Sequence, residues 1–144
     1  MRSDPVGSAK RPHIESSELA ALEQHHALLF RLIERFHSLL AGRYERTDVI
    51  RSLTDFLSYM AMHFAAEERV MLAVAYPGFA EHRQEHDEAL SSLREIDEDY
   101  RGGRDEAAQK ALRFIEAWKT AHVFGMDKTL DDWLDHHVSI LPKG

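Results

Sequence analysis

Imidazoles and carboxylates at helical spacing are the first chemistry this chain offers. His63 and Glu67 stand four apart in HFAAE (63–67), and His82 and His86 stand four apart in FAEHRQEH (79–86). Residues four apart share one face of an α-helix, so each pair can present two ligands to one ion. His122 and Asp127 in HVFGMD (122–127) are five apart, about 140° round an ideal helix. They converge only if the turn is widened, as in a π-bulge, and Gly125 between them would ease that distortion. A further imidazole comes from QHHALLF (24–30), where His25 and His26 are adjacent. Neighbours on a helix point about 100° apart, so only one of the two can face a given interior point.

Four helices must position these groups. The pattern predicts helices over about Ser17–Leu40, with Ser16 or Ser17 as N-cap, and from the Thr47-Asp48 cap to about Ala75. A third is expected over Phe79–Tyr100 and a fourth over Asp105–His137, punctuated by Pro77-Gly78 and Gly102-Gly103. Steps of three and four trace one buried stripe per helix. Polar residues interrupt every stripe: His26 in the first, His63 and Glu67 in the second, His82 and His86 in the third, His122 in the fourth. Beyond His122 the apolar positions Leu130 and Leu134 return to phase only if one residue is inserted, and Asp127 then joins the stripe. The expected fold is all-α, an antiparallel up-down-up-down four-helix bundle with a di-metal site in its core. Residues 1–15 read as a flexible arm punctuated by Pro5, Gly7 and Pro12, and 16–144 as the bundle.

Buried polar groups without partners would cost about 1–3 kcal/mol each, so the interrupting residues need a shared partner. Five imidazoles and two carboxylates, with no cysteine anywhere in the chain, suit iron, copper, zinc or manganese better than calcium or magnesium. The ligand count exceeds one ion, and carboxylates that bridge two ions fit it. Zinc would favour two tetrahedral sites; a shared octahedral arrangement favours iron. The rest of the composition sets bounds. A formal net charge of −7 argues against nucleic acid or anionic lipid as main partners. No apolar run is long enough to span a membrane, and no secretory signal is visible, which together suggest a cytoplasmic protein.

The ordered set HFAAE (63–67), YPGFAEHRQEH (76–86) and WKTAHVFGMD (118–127) resembles the hemerythrin family, the bacterial hemerythrin-like proteins in particular, over about residues 20–134. That resemblance implies two iron ions joined by an oxo or hydroxo bridge. His82, His86 and His122 would bind one, His26 and His63 the other, and Glu67 and Asp127 would bridge them. The three-histidine iron is then six-coordinate, and the two-histidine iron keeps one position open to O2 or another small diatomic or anionic ligand. The implied function is reversible O2 binding for storage, delivery or sensing, a binding role rather than an enzymatic one. The alternatives are an oxidase- or peroxidase-like enzyme and an NO- or iron-responsive signalling module. Oligomeric state stays open, a homo-oligomer included.

Glutamine often precedes the family's ligand, which would nominate His25. The buried stripe instead passes through position 26, and Leu29-Phe30 and Leu32-Ile33 align with the family only when counted from His26. His26 is therefore the expected ligand. Lys119 replaces an aliphatic residue of the family, and either snorkels outward or brings a cationic donor to the pocket. Leu130 replaces a tyrosine, and the family's N-terminal tryptophan segment is missing. Glu68 and Asp87 are candidate partners for imidazole N–H groups, and His13, His37, His136 and His137 are expected in solvent.

Overall fold

The computed structural model describes residues 11–142. In chain order they form β1 (His13–Glu15), α1 (Ser16–Ala41), α2 (Arg46–Ala73), α3 (Phe79–Arg101), α4 (Ala107–Trp118), a π-helical segment (Lys119–Met126), α5 (Asp127–His137) and β2 (Ser139–Leu141). α4, the π segment and α5 are continuous and act as one fourth helix. Short connections at 42–45, 74–78 and 102–106 reverse the chain each time. α1 packs on α2, α2 on α3 and α3 on α4, and α1 closes the ring against α4. This is the all-α four-helix bundle that the apolar stripes predict.

Local chemistry explains the helix limits. α2 opens on a capping box, with Glu45 and Asp48 each accepting from the other's backbone N–H. The chain turns after α3 through Gly103 at φ 101°, a left-handed conformation that costs glycine little. α1 departs from expectation at its start. Glu15, not a serine, occupies the N-cap and makes no side-chain cap, because β1 runs straight into the helix. β1 pairs in parallel with β2, His13 opposite Ser139 and Glu15 opposite Leu141. The last residues of the expected arm over 1–15 are thus held by backbone pairing and by Ile14, which is buried. Residues 1–10 of that arm, and 143–144 at the other end, lie outside the described residues.

The bundle interior is layered. A large apolar cluster, including Leu29, Ile33, Leu53, Phe56, Met60, Leu93, Ala111, Ile115 and Trp118, fills one end. A smaller one, built from Ile14, Leu22, Val70, Met71, Val74, Leu130, Leu134 and Val138, fills the other. Between them every helix contributes polar side chains: His26, His63 with Glu67, His82 with His86, and His122 with Asp127. The strands and Ile14 belong to the smaller end, so the pairing of β1 with β2 packs beneath this polar layer.

The fourth helix makes the layer possible. Asp127 N–H donates to the carbonyl of His122, five residues back instead of four. This wider turn absorbs one residue, so Trp118 and His122 before it and Asp127, Leu130 and Leu134 after it all face inward. The backbone does not require Gly125 for this purpose. A methyl group there would meet open space, and its φ is not in the left-handed region.

Candidate metal centre

The structure brings together all seven residues that the spacing singles out. Their donor atoms fall into two overlapping groups: Glu67, His82, His86, His122 and Asp127 in one, and His26, His63, Glu67 and Asp127 in the other. Within each group the atoms lie no more than 4.8 Å apart. Six of the seven are buried, and His26 is partly exposed.

The two carboxylates belong to both groups, one oxygen to each. Oε1 of Glu67 lies 2.8 Å from His82 Nε2, 3.0 Å from His86 Nε2 and 3.7 Å from His122 Nε2. Oε2 faces the other way, 3.7 Å from His63 Nε2. Oδ1 of Asp127 lies 3.1 Å from His82 Nε2 and 3.0 Å from His122 Nε2, whereas Oδ2 lies 2.9 Å from His26 Nε2. Every imidazole therefore turns Nε2 inward.

Three of the outward Nδ1 atoms are held from behind, whereas His82 Nδ1 is buried without a partner among the described residues. His86 Nδ1–H donates to Glu68 Oε2 at 2.8 Å, and His122 Nδ1–H donates to Glu85 Oε1. His63 Nδ1 pairs with Nδ1 of His25 at 3.3 Å. These bonds hold the rings in the orientation that keeps Nε2 facing the centre. Aromatic rings lock the imidazole planes: Phe64 stacks on His86 at 3.9 Å and Trp118 on His122 at 5.2 Å between centroids.

Close packing of these groups perturbs their protonation. Burial opposes a charge on His82 and His122, but hydrogen bonds to Asp127 and Glu67 outweigh it and raise them to about 9 and about 10. His63 has no comparable bond, and burial pushes it down to about 4. Burial likewise disfavours charged Asp127, yet bonds from His122, His26 and His82 hold it at about 2. Glu67, bonded to His122, His82 and His86 against the same burial, lies well below the ordinary carboxylate range.

The donor set fits a pair of metal ions. Nε2 of His26, His63 and His122 and Oδ2 of Asp127 are buried without a well-aligned hydrogen bond among the described residues. Such atoms are costly unless something else satisfies them. Nitrogen and carboxylate oxygen without sulfur is the donor chemistry of iron, manganese, copper or zinc. Cavities border both halves: one of about 280 Å³ is lined by Glu85, Trp118 and His122. Another, of about 240 Å³ and lined by Leu19, Leu22, Glu23 and Leu134, reaches His26 and Glu67.

The remaining expectations divide. His26 faces the carboxylates, as the stripe argument required, and His25 backs His63 instead of merely flanking the centre. Glu68 is an N–H partner, but Asp87 is exposed on the outer face of α3. Glu85 was not singled out from the sequence; its signal is its place three residues after His82, on the same helix face. The ammonium of Lys119 sits 4.8 Å over the Phe30 ring. Leu130 is fully buried in the smaller apolar cluster. His13, His37, His136 and His137 are exposed.

The sequence was compared with known families and proteins. It matches the model of the hemerythrin HHE cation binding domain over residues 17–138. Bacteriohemerythrin of Methylococcus capsulatus is 27% identical over 74% of this chain and 80% of its own length. That of Ralstonia nicotianae is 30% identical over 60% of this chain and 64% of its own. The Stenotrophomonas maltophilia protein is 22% identical over 82% and 76% respectively. No solved structure matches the chain.

Proposed function

The chain belongs to the hemerythrin family, and on that premise we propose that it is a non-haem di-iron protein that binds O2 reversibly, for storage, delivery or sensing. In this reading His82, His86 and His122 hold one iron, His26 and His63 hold the other, and Glu67 and Asp127 bridge them. When bound, the iron pair supplies a reducible centre with one position open to a small ligand. The observation that carries the reading is the split of each carboxylate, one oxygen toward the three-histidine group and the other toward the two-histidine group. A residue serving a single ion would not be oriented in this way.

The protein's own part is to position the ligands. Three nitrogens on one side against two on the other leave the His26 and His63 half one ligand short, and the cavity lined by Leu19 and Leu22 reaches that half at His26. Phe64 and Trp118 stack on His86 and His122 of the opposite half. No helix among the described residues is long and apolar enough to cross a membrane.

Anaerobic reduction of the iron-loaded protein followed by O2 should produce a visible absorption band that persists and vanishes on deoxygenation. Rapid decay to a ferric spectrum with release of H2O2 would instead favour an enzyme that consumes oxygen. Metal analysis finding well under two irons per chain, or two zincs, would sink the di-iron reading. The adjacent histidines give a sharper check on the ligand set. His26→Ala should fall below two irons per chain, whereas His25→Ala should keep two; the reverse would put the first helix in the wrong register.

A further inference from the structure

The backing of the imidazoles differs between the two halves. Both acidic backing groups, Glu68 behind His86 and Glu85 behind His122, serve the three-histidine half. In the other half His63 is backed by the ring of His25, which carries no carboxylate, at a longer 3.3 Å. An imidazole whose Nδ1–H donates to a carboxylate gains basicity at Nε2 and binds a cation more firmly. One whose N–H donates to another imidazole gains less, because no negative charge stands behind it.

We infer that Glu68 and Glu85 are positioning residues that make the His82, His86 and His122 half the tightly held one, leaving the half backed by His25 as the exchangeable one. The inference rests on the di-metal reading and adds to it a direction: ions fill the carboxylate-backed half first and leave it last. It also places the higher positive charge there on oxidation, since two nearby carboxylates stabilise it. Glu68 and Glu85 touch neither ion nor ligand; they act through the rings of His86 and His122.

Glu68→Gln and Glu85→Gln test this, singly and together. Glutamine keeps the shape and an acceptor oxygen for the Nδ1–H, so what is removed is the charge. Metal-free protein titrated with cobalt(II) should bind two equivalents, the first more tightly. In the double variant the first step should weaken about 10–100-fold while the second barely moves. His25→Ala should alter only the second step. The reduction potential of the iron-loaded double variant should rise, a shift that a purely structural role would not produce. Unchanged first-step affinity, or weakening confined to the second step, overturns the inference. Restoring the charge as Glu68→Asp and Glu85→Asp should recover part of the loss; failure of both aspartates to do so in a folded protein also counts against it. Iron stoichiometry of the unsubstituted protein separates the two claims. Two irons with unmoved variants would refute the backing argument alone, and any other stoichiometry would refute the di-iron reading itself.

Discussion

On the di-iron reading, Glu67→Ala protein should carry less than one iron per chain and the unsubstituted protein two. The expected loss is large because this one side chain touches both halves of the centre, lying within 3.7 Å of four imidazoles. Alanine removes a ligand from each ion position at once. It also leaves the buried Nε2 of His86 without its acceptor, at about 1–3 kcal/mol, while His82 Nε2 keeps Asp127. Glu67→Gln is the necessary companion. It keeps the volume and one acceptor oxygen, so helicity should stay close to that of the unsubstituted protein while iron still drops. Metal analysis with far-ultraviolet circular dichroism reads both outcomes. Two irons in either variant would show that Glu67 does not bridge.

Removal of the metal should have the second large effect. An ion present at a thousand times its dissociation constant contributes about 4 kcal/mol. For two ions in a chain of this size, that corresponds to a melting point lower by on the order of 15–30 °C after chelation. The metal-free protein should also have a distinct pH profile. His82 and His122 are raised to about 9 and about 10 from an ordinary 6.5, so they stabilise the fold fully below 6.5 and lose that contribution as pH rises through 9 and 10. His63 is lowered to about 4, so the unfolded chain takes up its proton first and stability falls between 6.5 and 4. Asp127, held at about 2, adds stability above its ordinary 3.8 that is lost as pH drops toward 2. The metal-free optimum therefore lies near pH 6.5: below it His63 lowers stability, and above it the contribution of His82 and His122 is progressively lost. Metal loading at pH 7 must expel the protons of His82 and His122, so about two protons should be released and affinity should climb with pH up to 9. Titration calorimetry in buffers of different ionisation enthalpy counts them; no proton release would contradict the assigned ligands.

The sequence made the centre legible because helical periodicity is strict. A polar residue in a buried stripe identifies itself, and the doublet His25-His26 was resolved by the phase of the stripe together with the family's register at Leu29-Phe30 and Leu32-Ile33. The distortion of the last helix was legible for the same reason, since Leu130 and Leu134 fell out of phase with Ile115 and Trp118. Groups that act across helices were harder to see. Glu85 lies on α3 but serves His122 on the fourth helix, and His25 on α1 serves His63 on α2; spacing within one helix does not say which ring on another helix is served. The pairing of β1 with β2 was hidden for a related reason. Three-residue strands held by backbone bonds between the two chain ends have no side-chain period to detect. Gly125 invited the opposite error, suggesting a conformational need that the backbone does not have.

The widened turn at 119–126 has a consequence for how such chains should be compared. Written against an unbroken helix, the fourth helix carries a single-residue insertion between His122 and Asp127, absorbed by the backbone without a loop. An alignment that forbids gaps inside helices would therefore mispair either the histidine or the aspartate. The site is marked by a frameshift in the hydrophobic pattern, and a search for that slip of phase would find it without reference to any ligand.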